Sequence, residues 1–297
     1  MGLRSHVHNY FYGNPNQPDF SERDLPKNRW ELFQDALSTN KGALVGLNLL
    51  YFACWLPAVA WGFLNLVHLY TCIQENTISQ QVFSSTLFTF LLYLFPLIAI
   101  TGPFNMGATY VLRNLARDQH SFVWSDFKDA MKRNWKQGLL LSTLDGLFPA
   151  AIYIWTLINR AMGMPSGVSV VVVGIVLAVA LFWSLTIQLM PMMIVTYQQS
   201  FFELLANAAL MTVLALPKAF AIKLLTLSVP ILAALLIALI PSAITWALPA
   251  ALALYAFFLL SLNKLITVSY ANSVCEKYLN PKIAGAETNI GLHIKES

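Results

Sequence analysis

The stretch "FVWSDFKDAMKRNWKQGLLLS", residues 122–142, passes from a charged segment directly into an apolar one. Six of its side chains are charged, whereas the whole chain of 297 residues is 57% hydrophobic and only 11% charged. Soluble domains usually carry about 25% charged residues. The chain therefore has too little polar surface to coat a water-soluble globule, and its composition predicts a membrane protein.

Long apolar runs lie on both sides of this stretch and predict the fold class. They are long enough for α-helices that cross a bilayer, and they lack the ten-residue alternation of a membrane β-barrel. We therefore expect an all-α membrane protein with six transmembrane helices, arranged as three hairpins with short cytoplasmic amphipathic helices. The predicted spans are 43–69, 83–110, 138–158, 168–196, 221–242 and 246–268.

These runs also predict the division of the chain and its orientation. We expect a cytoplasmic N-terminal segment at 1–42 with an amphipathic helix, a transmembrane domain at 43–268 and a cytoplasmic tail at 269–297. Of the 18 Lys and Arg residues, only Arg160 falls in the predicted connections of the opposite side. Because cytoplasmic connections retain positive charge, both termini are predicted to be cytoplasmic in a multi-pass protein of the cell membrane.

A partial repeat of the opening stretch precedes the first apolar run. "WELFQDALSTN", residues 30–40, and "WSDFKDAMKRN", residues 124–134, match at Trp, Phe, Asp, Ala and Asn without a gap. "SFFELLANAAL", residues 200–210, has the spacing of a capping box and is expected to end near Asn207, but it lacks the Trp and the Asp. We infer three units, each a short helix followed by a membrane hairpin.

The helix within 122–142 is predicted to lie along the cytoplasmic membrane face. If Ser125 caps it, Phe127, Met131 and Trp135 form one apolar stripe that packs against the bundle, and lysines occupy another face. Such a helix can rest among the lipid headgroups, so membrane lipid is one expected partner, or it can dock a partner protein. The residues of the hypothetical docking surface are Asp35, Arg113, Arg117, Trp124, Asp126 and Asp129.

Two polar residues fall inside the apolar runs. Asp145 is a carboxylate within the third run, and Asn48 lies in the first. An acidic residue at such a position either marks an ion or solute path or pairs with a polar neighbour inside the bundle. The sequence leaves both interpretations open and predicts an intramembrane polar site.

Glycines and prolines predict the shape of the helices. Gly102 and Pro103 follow about 18 apolar residues, and because proline removes a backbone donor we expect the helix to kink or break there. Gly42 and Gly46 have the spacing that allows a second helix to approach closely.

No pattern of catalytic residues emerges from the sequence. No nucleophile has an identifiable base, and the five His and three Cys residues are scattered without metal-ligand spacing. The net charge of +4 is small and dispersed. We therefore expect neither an enzyme nor a cofactor, a metal site or a nucleic-acid partner.

Two segments of the chain resemble the YesL-like membrane proteins of Gram-positive bacteria, which have long been classed as a domain of unknown function. They are "GLNLLYFACWLP", residues 46–57, and the whole of 100–138, within a resemblance that covers most of 25–275. Its most specific part is the Gly-Pro pair, the Tyr-Val-Leu-Arg-Asn-x-x-Arg run that starts at Tyr110, and the Trp-Ser-Asp-Phe that follows. Where the family often has Ala-Thr-Ala after Gly-Pro, this chain has Phe-Asn-Met, at 104–106.

The resemblance implies a function in carbohydrate uptake, because members of this family tend to be encoded beside carbohydrate ABC importers, sugar-degrading enzymes and two-component sensors. We expect an accessory integral-membrane subunit that associates with the permease of a carbohydrate ABC importer and stabilises or regulates it. The alternatives are an independent small-solute transporter and a membrane partner of a two-component sensor kinase.

The predicted orientation can be tested by cysteine labelling in intact cells. Single cysteines at Ile78, His120 and Ile290 are introduced into a chain without its own cysteines. We expect an impermeant thiol reagent to label position 78 from outside and to leave 120 and 290 unlabelled until the membrane is opened. The reverse pattern would mean that the basic connections face outward.

Overall fold

The computed structural model describes residues 25–163 and 165–293. In this part of the chain every regular element is helical. Five helices are long and apolar enough to cross a membrane, and a sixth span results if one bent pair of helices counts as a single crossing. The all-α fold class is therefore confirmed, and the chain is a multi-pass membrane protein.

The helices follow one another with short connections. They are α1 Arg29–Thr39, α2 Lys41–Gln74, α3 Gln80–Leu115, α4 Val123–Arg133, α5 Trp135–Ala161, α6 Ser166–Thr186, α7 Met190–Thr196, α8 Phe201–Leu214, α9 Leu216–Thr226, α10 Ser228–Leu239, α11 Ile244–Leu254 and α12 Leu260–Tyr278. A π-helical segment, Tyr255–Leu259, joins α11 to α12.

Two predicted boundaries differ from the structure. The fifth predicted span, 221–242, is divided between α9 and α10 at Leu227, and α10 alone has only 12 residues. The boundary predicted after residue 268 falls inside α12, which continues to Tyr278. In the predicted N-terminal segment, residues 1–24 lie outside the described part of the chain, and α1 occupies most of the remainder.

A similar backbone turn follows each of the three short helices α1, α4 and α8. One non-helical residue separates each short helix from the apolar helix that follows it: Asn40 after α1, Asn134 after α4 and Ala215 after α8. Their φ angles are −104°, −111° and −117°, and their ψ angles are 28°, 15° and 24°. The chain thus turns in the same way three times.

The asparagines explain two of these turns locally. The Asn40 amide donates to the carbonyl of Ala36 at 3.2 Å, and the Asn134 amide donates to that of Ala130 at 3.0 Å. Each asparagine thus supplies a donor to a carbonyl one turn back in the helix that ends there. The third copy lacks this amide and is longer than predicted, because its turn lies at Ala215 rather than near Asn207; there α8 and α9 meet at 97°.

The capping box predicted for the third unit is confirmed. The Ser200 hydroxyl accepts from the backbone N–H of Glu203, and the Glu203 carboxylate accepts from that of Ser200. These bonds satisfy two backbone donors at the start of α8.

Helices α3 and α5 approach each other closely where Gly102 faces Gly138. A Cβ atom added to Gly102 would overlap the carbonyl oxygen of Gly138, and one added to Gly138 would lie 2.8 Å from the carbonyl oxygen of Gly102. The helix break predicted at Gly102 and Pro103 is wrong, because α3 continues without interruption through both residues. Gly102 instead allows the two backbones to touch.

The predicted close approach at Gly42 and Gly46 is absent, since a Cβ atom at either position would have no neighbour within 4 Å. Gly107 and Gly146, which the sequence analysis did not single out, do lie at tight contacts: Gly107 lies against Phe127 of α4, and Gly146 against the backbone of Phe95.

Long-range polar contacts gather the short helices and most of the basic residues at one end of the bundle, here called the basic end. Arg29 forms an ion pair with Glu276, and the Tyr197 hydroxyl donates to Asn280 at 2.6 Å. The Gln137 amide donates to the carbonyl of Gln199 at 3.1 Å. The start of α1, the start of α5, the end of α7 and the end of α12 therefore lie together.

A methyl group at Gly102 is expected to destabilise the fold. The variant Gly102→Ala must push α5 away from α3, which we expect to cost about 1–3 kcal/mol, the range for overpacked cores. Gly62→Ala is the matched control, because Gly62 lies in the long helix α2 with no neighbour within 4 Å of an added Cβ. The measurement is Tm in detergent, and an equal Tm for the two variants would contradict the contact.

Candidate functional site

An open cavity of about 350 Å³ lies between the helices of the bundle. Asp145 on its wall is ten residues into α5, so the cavity is ~15 Å from the basic end, about half of the ~30 Å hydrocarbon thickness. The lining residues are Tyr51, Trp55, Asn105, Leu141, Ser142, Asp145, Ile187, Gln188, Pro191, Lys223, Leu260, Asn263, Lys264 and Thr267. A cavity with so many polar side chains among apolar helices is the main candidate for a binding site.

The first of three helix irregularities around this cavity is the π-helical segment before α12. Asn48, which is fully buried, donates through its amide to the carbonyls of Tyr255 and Ala256 at 2.9 and 2.7 Å. Its side-chain oxygen accepts from the backbone N–H of Ser261 at 2.9 Å. Because no water is present in the hydrocarbon to bond an irregular backbone, one asparagine satisfies three backbone groups here.

The second irregularity is the turn between α6 and α7, which precedes Pro191. The backbone N–H of Leu189 bonds to Thr186 and not to Leu185. The Gln188 amide donates to the carbonyl of Leu185 instead, and also to that of Ala219 in α9, both at 3.3 Å. The Gln188 side chain therefore replaces the missing backbone donor to Leu185 and links α9 to the turn between α6 and α7.

The third irregularity is the junction between α9 and α10. Pro230 has no N–H, so it cannot donate to the carbonyl of Thr226 four residues earlier. The Asn263 amide, on α12, donates to that carbonyl at 3.1 Å. Each of the three irregularities is thus bridged by an amide side chain from another segment or from the turn itself.

Lys264 is one of the two cations on the polar wall. Its ammonium group donates to the Asn105 amide oxygen and, at 3.0 Å, to the Thr109 hydroxyl. It also lies 5.4 Å from the centre of the Tyr51 ring. All of these partners are uncharged, so they orient the ammonium group without neutralising its charge.

Asp145 and Lys223 bring two further charges to the same wall. Asp145 is exposed and Lys223 is half-buried, and the two side chains form no ion pair within 4.0 Å. The wall therefore holds two lysines and one carboxylate.

Two groups on the cavity wall have no hydrogen-bond partner within the protein. They are the side-chain oxygen of Gln188, a residue only 8% exposed, and the indole N–H of Trp55. A buried polar group without a partner usually has a bound water, an ion or a ligand group close to it. These two atoms are an acceptor and a donor that remain available at the cavity.

The structure places Asp145 on the wall of a polar cavity and gives Asn48 a structural role beside it. The charge pattern of the sequence predicts that Lys223 and Lys264 are cytoplasmic, whereas both lie on the cavity wall. Their positions inside predicted apolar runs were the available signal. Gln188 and Asn263 were missed because an isolated amide in an apolar run gives no spacing pattern.

Three residues of the predicted docking surface have partners within the fold. Arg117 is only 7% exposed and donates to the Asn272 side chain at 3.0 Å; burial lowers the pKa of its guanidinium group. Arg113 is half-buried and donates to the carbonyl of Val195 at 3.0 Å. Asp126 accepts from the Ser121 hydroxyl at 2.6 Å and from a backbone N–H at the start of α4. The two arginines therefore stabilise the basic end from inside.

The remaining docking candidates, Trp124, Asp129 and Asp35, differ in accessibility. Trp124 and Asp129 are exposed on α4, while Asp35 is half-buried and accepts from the Thr39 hydroxyl at 3.1 Å. Trp30, at the position of α1 that matches Trp124, is exposed to the same extent, 65%. The six predicted residues therefore do not form one surface.

The predicted stripe on α4 is correct in part. Phe127 is buried and Met131 half-buried, but Trp135 is 48% exposed because it begins α5 after the turn at Asn134. Ser125 lies inside the helix rather than at its cap, since α4 begins at Val123.

Comparison with protein-family models, with curated proteins and with solved structures gave no match. In the described part of the chain, no three His, Cys, Asp or Glu side chains are grouped as metal ligands would be.

Replacement of Asn48 by leucine is expected to destabilise the protein, because it leaves two carbonyls and one N–H without their partner. We expect a loss of at least about 2 kcal/mol, since each unpaired buried group costs about 1–3 kcal/mol. The control is Asn65→Leu, because the Asn65 amide donates only to Trp61 in its own helix. Thermal unfolding in detergent compares the two, and a smaller effect at position 48 than at 65 would contradict the bridging role.

Proposed function

We propose that this protein is a membrane transporter that binds a small organic anion in the central cavity. The observation that carries the proposal is the placement of Lys223, Lys264 and Asp145 on one polar wall, in the middle of the bundle and beside three helix irregularities. Ionisable residues inside a membrane bundle typically belong to a solute or ion path. Interrupted helices near the bilayer midplane typically form the binding sites of secondary transporters.

The preference for an anion follows from the charges on the wall. Two ammonium groups face one carboxylate, so the wall has an excess of positive charge. Lys264 is held by neutral groups, which leaves its charge available to a ligand. Because the surrounding medium has a low dielectric constant, an anionic group placed there gains more than it would in water.

The organic part of the solute is suggested by the other wall residues. Tyr51 and Trp55 offer aromatic surface, and the free Trp55 N–H and Gln188 oxygen offer one donor and one acceptor. A cavity of about 350 Å³ lies at the lower end of the usual volume range for small-molecule sites. A compact solute with several polar groups fits this combination.

In this proposal the basic end faces the cytoplasm, and the solute reaches the cavity between helices that move at the interrupted segments. The accessory-subunit function implied by the family resemblance remains the second proposal. It is favoured by the paired exposed residues Trp30 and Trp124, which are available to another membrane protein. The two proposals differ in whether the chain binds a solute without a partner.

The purified full-length chain can distinguish them. Its Tm is measured with glucuronate and glycerol phosphate, and with glucose and glycerol as their uncharged counterparts. We expect at least one anion to raise Tm where its uncharged counterpart does not, because a solute at 100 times its Kd stabilises by about 2.7 kcal/mol. Uptake of that anion into proteoliposomes then tests transport.

Lys264→Met and Lys128→Met serve as the matched variants, because Lys128 is exposed on α4, away from the cavity. The anion effect should disappear in the first variant and persist in the second. If no anion stabilises the unaltered chain, or if both variants respond equally, the cavity does not bind an anion. Binding that appears only with a co-purified permease would favour the accessory-subunit function.

A further inference from the structure

A second cavity lies away from the central one, in a groove between α9 and α12 that α1 closes at the basic end. This α9–α12 groove has a volume of about 540 Å³. It shares no lining residue with the central cavity. We propose that it binds one anionic phospholipid, with an acyl chain along the groove and the phosphate group at the basic end.

The polarity of the groove changes along its length. Leu225 on α9 and Leu262 and Ile266 on α12 form the part farther from the basic end, and all three are apolar. Lys218 and Ser273 lie at the other end, nearer to the start of α9 and the end of α12. A groove that is apolar at one end and polar with a positive charge at the other matches the chemistry of a phospholipid.

The length of the groove agrees with a single leaflet. Its wall on α12 extends from Leu262 to Ser273, eleven residues, which corresponds to ~16 Å of helix. One leaflet contributes about half of the ~30 Å hydrocarbon core. An acyl chain aligned with α12 therefore ends near Leu262 when its headgroup lies at the basic end.

Unpaired polar atoms occur at the headgroup end. The Ser269 hydroxyl, the Tyr270 hydroxyl and the Asn272 amide nitrogen have no hydrogen-bond partner, although Tyr270 and Asn272 are only 6% and 1% exposed. All three residues line the groove, and all three groups can donate a hydrogen bond. A phosphate group with several acceptor oxygens is the complementary partner.

Lys218 supplies the positive charge. Arg29 also lines the groove, but its guanidinium group forms an ion pair with Glu276. Lys218 is exposed and forms no ion pair with any described residue. Trp30, at the mouth of the groove, is 65% exposed and of the residue type that prefers the headgroup region.

The test is native mass spectrometry of the full-length chain, purified in detergent with phosphatidylglycerol or phosphatidylcholine of identical acyl chains. We expect one phosphatidylglycerol to be retained in preference to phosphatidylcholine. Lys218→Gln should reduce phosphatidylglycerol retention about fivefold, as expected for one lysine near an anionic lipid, and leave phosphatidylcholine unchanged. Inorganic phosphate should not displace the lipid.

Ile266→Trp fills the apolar part of the groove and should abolish retention. Its control is Leu235→Trp on the exposed surface of α10, where Leu235 is 53% exposed. Ala221→Leu narrows the same groove from α9 and replaces Ile266→Trp if that variant does not accumulate. The charge control is Lys128→Gln on α4.

Three results would overturn the proposal. They are equal retention of the two lipids by the unaltered chain, equal retention by Ile266→Trp and Leu235→Trp, and displacement by inorganic phosphate, which would indicate a site for a free anion. Loss of a protein partner or of self-association from Ile266→Trp, with lipid retention unchanged, would assign the groove to a protein contact instead.

Discussion

The constraint on which this structure depends is that the backbone inside a membrane has no water to bond. A carbonyl or N–H left unpaired in hydrocarbon costs several kcal/mol, so a helix can be interrupted there only where another group replaces the missing bond. Asn48, Gln188 and Asn263 are those groups. They allow three irregular segments to exist at the depth where the central cavity forms.

This arrangement links stability to the candidate site. The amides that repair the backbone also bring polar atoms to an apolar interior, and two of the three belong to the cavity wall. Asn48 uses both ends of its amide for the backbone, whereas the Gln188 oxygen remains without a partner. Asn48 therefore has a structural role, whereas the side-chain oxygen of Gln188 remains available to a ligand.

The contact between α3 and α5 also affects both the packing of the helices and the candidate site. Gly102 and Gly138 let the two backbones touch, and within about one turn of this contact Asn105 of α3 and Ser142 of α5 reach the same cavity. A larger residue at either glycine would separate the two polar side chains as well as the helices. Close packing at the basic end thus sets the geometry of the wall that holds Lys264.

Local properties of the chain were sufficient to predict the apolar helices, the Trp-to-Asn repeat and a polar site at Asp145, because composition and periodicity act within one segment. The turn residue Asn134 and its copy Asn40 are also local, since each amide bonds to its own helix.

Local properties did not predict three features of the structure. They are the inward direction of the Arg113 and Arg117 side chains, the uninterrupted course of α3, and the positions of Lys223 and Lys264 on the cavity wall. These features depend on residues distant in the sequence. Asn272 accepts a hydrogen bond from Arg117, and Asn105 accepts one from Lys264. Gly138 lets the backbone of α5 approach Gly102. The sequence by itself therefore determined that the chain forms long apolar helices, while only the tertiary structure decided which charges face inward, because burying a charge or a broken backbone requires a partner from another helix.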